Sequence, residues 1–138
     1  MTKKELFERL NKVRDLEAAL RIIDLKIERL ESCLQGHANR YDAVKVQTTP
    51  EDHVAEVMGD LDVLFKKQAK LRIGLTRAVA DIAEMIDSIP DTRLCLLMHY
   101  RYTGCLTWQE VAQAMHYNDR HVYKLHDQAI KWLCENMA

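Results

Sequence analysis

A chain of 138 residues and 16.1 kDa has room for one domain, or for a small domain on an elongated stalk, and excludes a large multidomain enzyme. Hydrophobic residues make up 48%, charged residues 30% and aromatics 7%, with four Gly and two Pro; that balance builds a core with long solvated helical faces rather than a compact α/β domain. Twenty basic against 21 acidic side chains leave a net charge of −1, which supplies none of the long-range attraction of a strongly basic nucleic-acid binder.

The first periodic signal is Val13, Leu16, Leu20, Ile23, Ile27, Leu30, Leu34, with Leu6 extending it backwards. Spacings alternating between three and four keep one apolar seam along a helix. Glu, Lys, Arg, Leu and Ala dominate the stretch, and Gly36 is a candidate C-terminal stop. The pattern predicts a helix over about residues 2–34. From 35 to 52 the period is lost among Gly36, Asn39, Thr48, Thr49 and Pro50, which reads as an extended connector, with Tyr41 free to pack on the helices.

The second and stronger seam runs Val54, Val57, Leu61, Leu64, Gln68, Leu71, Leu75, Ala78, Ile82, Met85, Ile89. Pro50, Glu51 and Asp52 suit its start, and Pro90 disfavours helical geometry at Ile89 and ends it. The two long helices pair either as an antiparallel hairpin within one chain or as a coiled coil between chains. Gln68, the one polar residue on the seam, either fixes register or reaches water from its edge.

After Pro90 the pieces shorten. Asp91 or Thr92 caps a helix whose buried stripe is Leu94, Leu97, Met98 and Tyr102, closed by Thr103-Gly104. Thr107-Trp108-Gln109-Glu110 is a capping box, followed by the apolar face Val111, Ala112, Met115. His116-Tyr117-Asn118 makes a turn, and Asn118 caps a last helix with inner face Val122, Leu125, Ala129, Leu133. A short helix, a tight turn and a second amphipathic helix form a helix-turn-helix. The fold class expected is therefore all-α: two long heptad-patterned helices (1–90, a coiled-coil or oligomerisation region with its connector at 35–52), then a three-helix helix-turn-helix domain over 91–138.

In this arrangement the second helix is propped out so that its N-terminal half can enter the major groove. Its outward positions include Arg120, His121, Tyr123 and Lys124, the candidate base contacts, beside Asp119 and Asp127. Arg101, Thr107, Gln109, Asn118 and Lys131 stand where helix ends and flanks touch phosphate. Asp119 also suits the first turn of any helix. The double-stranded DNA partner rests on these positions.

The segment RLCLLMHYRYTGCLTWQEVAQAMHYNDRHVYKLHDQAIKWL resembles the helix-turn-helix of sigma factor region 4, whose pattern is an apolar helix ending in Arg-Tyr, then G-x-T-x-x-E-I-A, a small turn and a helix ending A-L-x-x-L. The whole chain resembles small phage and prophage proteins of Gram-positive bacteria, related to RinA- and ArpU-type late-gene transcriptional regulators. The matching features are the piece Asp42 to Gln47, the Ile89-Pro90-Asp91 stop, Arg101-Tyr102, Thr107-Trp108, and Tyr123 with His126 ahead of Ala129. That resemblance implies sequence-specific DNA binding and transcriptional control, with a homodimer or higher homo-oligomer built through the long helices and RNA polymerase as a further partner. The neutral charge and the Asn118-Asp119 pair depart from a basic DNA-binding surface. They keep open a protein-interaction factor, such as a polymerase-binding or anti-sigma-like adaptor, and a phage DNA-packaging subunit of the small terminase type.

No stretch reaches the roughly 18 apolar residues of a membrane span and MTKKELFERL lacks a signal-peptide core, so a cytoplasmic protein without a membrane partner is expected. Cys33, Cys95, Cys105 and Cys134 contain no C-x-x-C pair and read as free thiols. Cys95 and His99 stand four apart with Cys105 nearby, a spacing that metal ligands use, but buried thiols are the ordinary reading and no metal or other cofactor is expected. Tyr123 and His126 are accompanied by no nucleophile, phosphate loop or carboxylate cluster, so no catalytic residue and no enzyme is expected.

Overall fold

A computed structural model describes residues 1–40 and 50–137, with side chains for 1–35 and 51–137. The piece Asp42 to Gln47 and Tyr41 lie outside the described residues. The fold is all-α: α1 (Lys3–Arg40), α2 (Pro50–Asp87), α3 (Thr92–Met98) running on into a π-helical turn (His99–Thr103), α4 (Trp108–Met115) and α5 (Asp119–Asn136). Among the described residues there is no strand, and no helix is long and apolar enough to cross a membrane.

α1 opens with a reciprocal capping box: Glu5 N–H donates to Thr2 Oγ1 and Thr2 N–H to Glu5 Oε2, each 3.2 Å. Its other end corrects the expected stop at Gly36, because the helix continues to Arg40. One glycine inside a helix costs only about 1 kcal/mol relative to alanine, too little to end it. α2 likewise starts at Pro50, the position where a helix needs no N–H. The expected connector over 35–52 is correspondingly shorter.

The chain forms two compact units, Met1–Leu16 with Gly74–Ala138, and Glu17–Ile73. Their boundaries fall inside the two long helices rather than at residue 90. In the second unit the seams face each other: Ile23, Ile27, Val57 and Leu61 are buried as one cluster, with Leu30, Leu34, Leu64 and Leu71 packed on it. Gln68 Nε2 donates to Asp24 Oδ1 at 2.5 Å, so the polar seam residue ties the helices together in register. In the first unit Arg9 grips Asp81 through two hydrogen bonds of 2.7 and 3.2 Å. Leu16 lies against Gly74, 3.9 Å from where a Cβ would stand. In each unit, then, α1 and α2 segments run antiparallel within one chain and the seams pair intramolecularly, except that Val54, expected to open the second seam, is exposed.

The core of the first unit gathers Leu6, Leu10 and Val13 of α1, Ile82, Met85 and Ile86 of α2, and the inner faces of the C-terminal helices, including Leu97, Met98, Val111, Val122 and Leu133. The burial of Ile86 beside Met85 widens the α2 stripe beyond a two-position seam, as a helix covered from two sides requires. α2 ends at Asp87, Ser88 follows with its hydroxyl donating to the Met85 carbonyl, and Asp91 caps α3 by accepting from Arg93 N–H at 2.9 Å. The π turn closes with Gly104 N–H donating to the His99 carbonyl at 2.8 Å, five residues back. Glycine fits there because a Cβ would stand 3.0 Å from the Tyr100 carbonyl oxygen.

Candidate nucleic-acid interface

α4 and α5 are both set by their caps. The Thr107 hydroxyl accepts from Glu110 N–H and the Glu110 carboxylate accepts from Thr107 N–H, both at 3.2 Å. α4 ends in a Schellman arrangement: Tyr117 N–H reaches the Ala112 carbonyl at 3.0 Å and His116 N–H the Gln113 carbonyl at 3.3 Å, with His116 left-handed at φ 58°. The Asn118 side chain accepts from His121 N–H at 2.8 Å and starts α5. Replacing Thr107 by alanine removes one half of the box and should lower unfolding free energy by about 1 kcal/mol, read by denaturant titration.

Along α5, Val122, Leu125, Ala129 and Leu133 are buried together with His126 and Ile130. The opposite stripe, spaced four, three and four, is Arg120, Lys124, Asp127 and Lys131, all exposed. Tyr123 beside it is 48% exposed, and its ring rests 5.3 Å from Trp108. His121 is half-buried with its ring edge-on to Tyr117 at 4.6 Å. Of the four expected base-contact residues, the fold therefore presents Arg120, Tyr123 and Lys124 openly and holds His121 against the turn.

The expected phosphate set divides further. Gln109 and Lys131 are exposed. Asn118 and Thr107 point outward, but their side-chain oxygens are engaged as caps, and the Glu110 carboxylate already supplies the anion at the start of α4. Arg101 is turned inward: Nη1 donates to the Leu106 carbonyl at 2.9 Å, the guanidinium lies 4.5 Å over the Trp108 ring, and Nε is buried without an acceptor. Burial and the nearby Arg14 charge pull its pKa below the ordinary value. Arg101 and Trp108 thus brace the helix-turn-helix from within.

Behind this brace, His126 Nε2 and the Tyr102 hydroxyl share a buried hydrogen bond of 2.7 Å. Trp108 meets the His126 ring edge-on at 4.7 Å and Phe7 of α1 lies 6.1 Å away. Burial lowers the His126 pKa to about 4 and raises that of Tyr102 to about 12, so both are neutral at physiological pH. His126 is a core group, not a surface contact. A cation that sequence reasoning missed is Lys3 of α1, which shares an open groove with Asp127 and Lys131; its place depends on tertiary packing and has no local sequence signal.

Nothing among protein-family models, curated proteins or solved structures matches this chain.

Proposed function

We propose that the chain is a DNA-binding transcriptional regulator of the phage and prophage kind, with the N-terminal half of α5 entering the major groove. The observation that carries this reading is the split of α5 into a face locked in the core and a face on which Arg120, Tyr123 and Lys124 are exposed directly after a capped start. Arg and Lys at that position suit guanine edges and phosphates, and three or four such side chains suffice for readout. Lys131 and Lys3 extend the cationic side chains along the helix. Because the heptad seams pair within the chain, a two-fold DNA site would need contacts outside those seams.

The exposed Asp119 and Asp127 on the same helix favour a second reading, a protein-interaction factor whose partner presents basic groups. Selection from a randomised duplex pool at two salt concentrations separates the two. The regulator reading expects an enriched motif whose affinity falls as salt rises. The double substitution Arg120→Ala and Lys124→Ala should then cost about 1–3 kcal/mol per lost base contact at that site while leaving helicity and size unchanged. A well-folded protein that enriches no sequence overturns DNA reading.

A further inference from the structure

Asp87 is the last residue of α2, Cys95 lies in α3 and His99 opens the π turn. The fold brings them to one spot: one ligand atom from each residue lies within 4.8 Å of the other two. His99 Nε2 is 2.7 Å from Asp87 Oδ1, and Cys95 Sγ is 4.0 Å from the same oxygen. We propose that these three side chains form a binding site for a thiophilic divalent cation of the zinc class, with the fourth position left to water or a ligand from outside the chain.

The donor set carries the choice of metal. A thiolate, an imidazole and a carboxylate suit zinc, whereas magnesium and calcium take oxygen ligands. Tetrahedral coordination at zinc bond lengths separates such donors by about 3.3–3.6 Å. Reaching that spacing asks the 2.7 Å pair to open and the 4.0 Å pair to close by about half an ångström each. Asp87, with 68% of its side chain exposed, has room to make that adjustment.

A second feature points the same way. The other ring nitrogen of His99, Nδ1, is 3.0 Å from Thr103 Oγ1. An imidazole ligand is ordinarily oriented by such a bond from its remote nitrogen, which leaves Nε2 for the metal. The π turn makes the match, because His99 and Thr103 are its first and last residues. Cys105, the neighbour that spacing alone suggests, is not part of the group; its Sγ approaches the Tyr102 carbonyl at 3.8 Å. Burial and the Asp87 charge keep the Cys95 thiol protonated, so metal binding releases that proton to solvent as the metal–sulfur bond forms.

An ordinary His–Asp hydrogen bond explains the 2.7 Å contact without a metal, and the test separates the two. The reduced, chelator-treated protein is titrated with Co²⁺, whose thiolate charge-transfer band reports sulfur ligation, and the Co²⁺ is then displaced by Zn²⁺. A saturable band is expected at one Co²⁺ per chain. It should be lost in Cys95→Ser and kept in Cys33→Ser, Cys105→Ser and Cys134→Ser. Thr103→Val should weaken binding by about 10–100-fold. Asp87→Asn, at an exposed position that leaves the core intact, should weaken binding with helicity unchanged. A missing band at stoichiometric Co²⁺, or a band that survives Cys95→Ser, overturns the site.

Discussion

Replacing Leu10 by alanine should destabilise the helix-turn-helix, although that residue lies more than eighty positions upstream of it. Leu10 is fully buried in the cluster that also contains Leu97, Val122 and Leu133. Truncating such a leucine removes apolar contact and leaves a cavity, a loss of about 2–5 kcal/mol. For a chain of this size that is a large share of total stability. Thermal or denaturant unfolding followed at Trp108 and Trp132, both at the C-terminal end, gives the readout. The matching expectation is that residues 91–138 alone unfold readily, because Leu6, Leu10, Ile82, Met85 and Ile86 would no longer cover their inner face. If Leu10→Ala leaves the unfolding midpoint of the tryptophan signal unchanged, the first unit does not fold as one body.

That dependence shows where sequence reading succeeds and where it stops. Both seams were legible because a period of three and four is a property of one helix at a time: Val13, Ile23, Ile27, Val57, Leu61 and Ile82 are all buried as spaced. The caps at Asn118 and Thr107 were legible for the same local reason, since the capping atoms lie within three residues of the N–H groups they satisfy. The partner of a seam is not local. Nothing in the spacing of Leu6 and Leu10 says that they join the core of the C-terminal helices rather than pair with another copy of α1. The inward turn of Arg101 was illegible too. Charge at a helix end suggests phosphate, whereas the Leu106 carbonyl and the Trp108 ring arrive only through the π turn and the loop after it. The same turn places His99 over Asp87, a pair twelve residues apart with Pro90 between them.

The buried His126 makes stability depend on pH in a defined direction. Its folded pKa of about 4 lies below the ordinary 6.5, first because burial penalises the imidazolium and then because Arg101 and Lys3 repel it, with Asp127 opposing. A histidine with a depressed folded pKa takes up its proton more readily in the unfolded chain. Between pH 6.5 and 4 the unfolded state therefore holds more protons, and the contribution to folding falls as pH falls through this window. Over the full interval the loss approaches about 3 kcal/mol, at about 1.4 kcal/mol for each unit separating the two pKa values. Above pH 7 the term is fully present and flat. Denaturant unfolding measured from pH 7.5 to 4 should show this slope.

Other groups titrate in the same range, so the assignment needs a variant that keeps the packing. The single change His126→Phe would leave the Tyr102 hydroxyl buried without its 2.7 Å partner, at a cost of about 1–3 kcal/mol. Replacing both residues by phenylalanine removes donor and acceptor together and retains the ring contacts with Trp108 and Phe7. The double variant should be close to the parent in stability at pH 7 and should lose less between pH 7 and 4. A slope identical to the parent's would mean that His126 is not the group whose protonation opposes folding. Asp91, whose pKa is held low by the backbone N–H of Arg93, could not supply that slope. Its contribution is also lost as pH falls, but below its ordinary value of 3.8, beneath the window in which His126 acts.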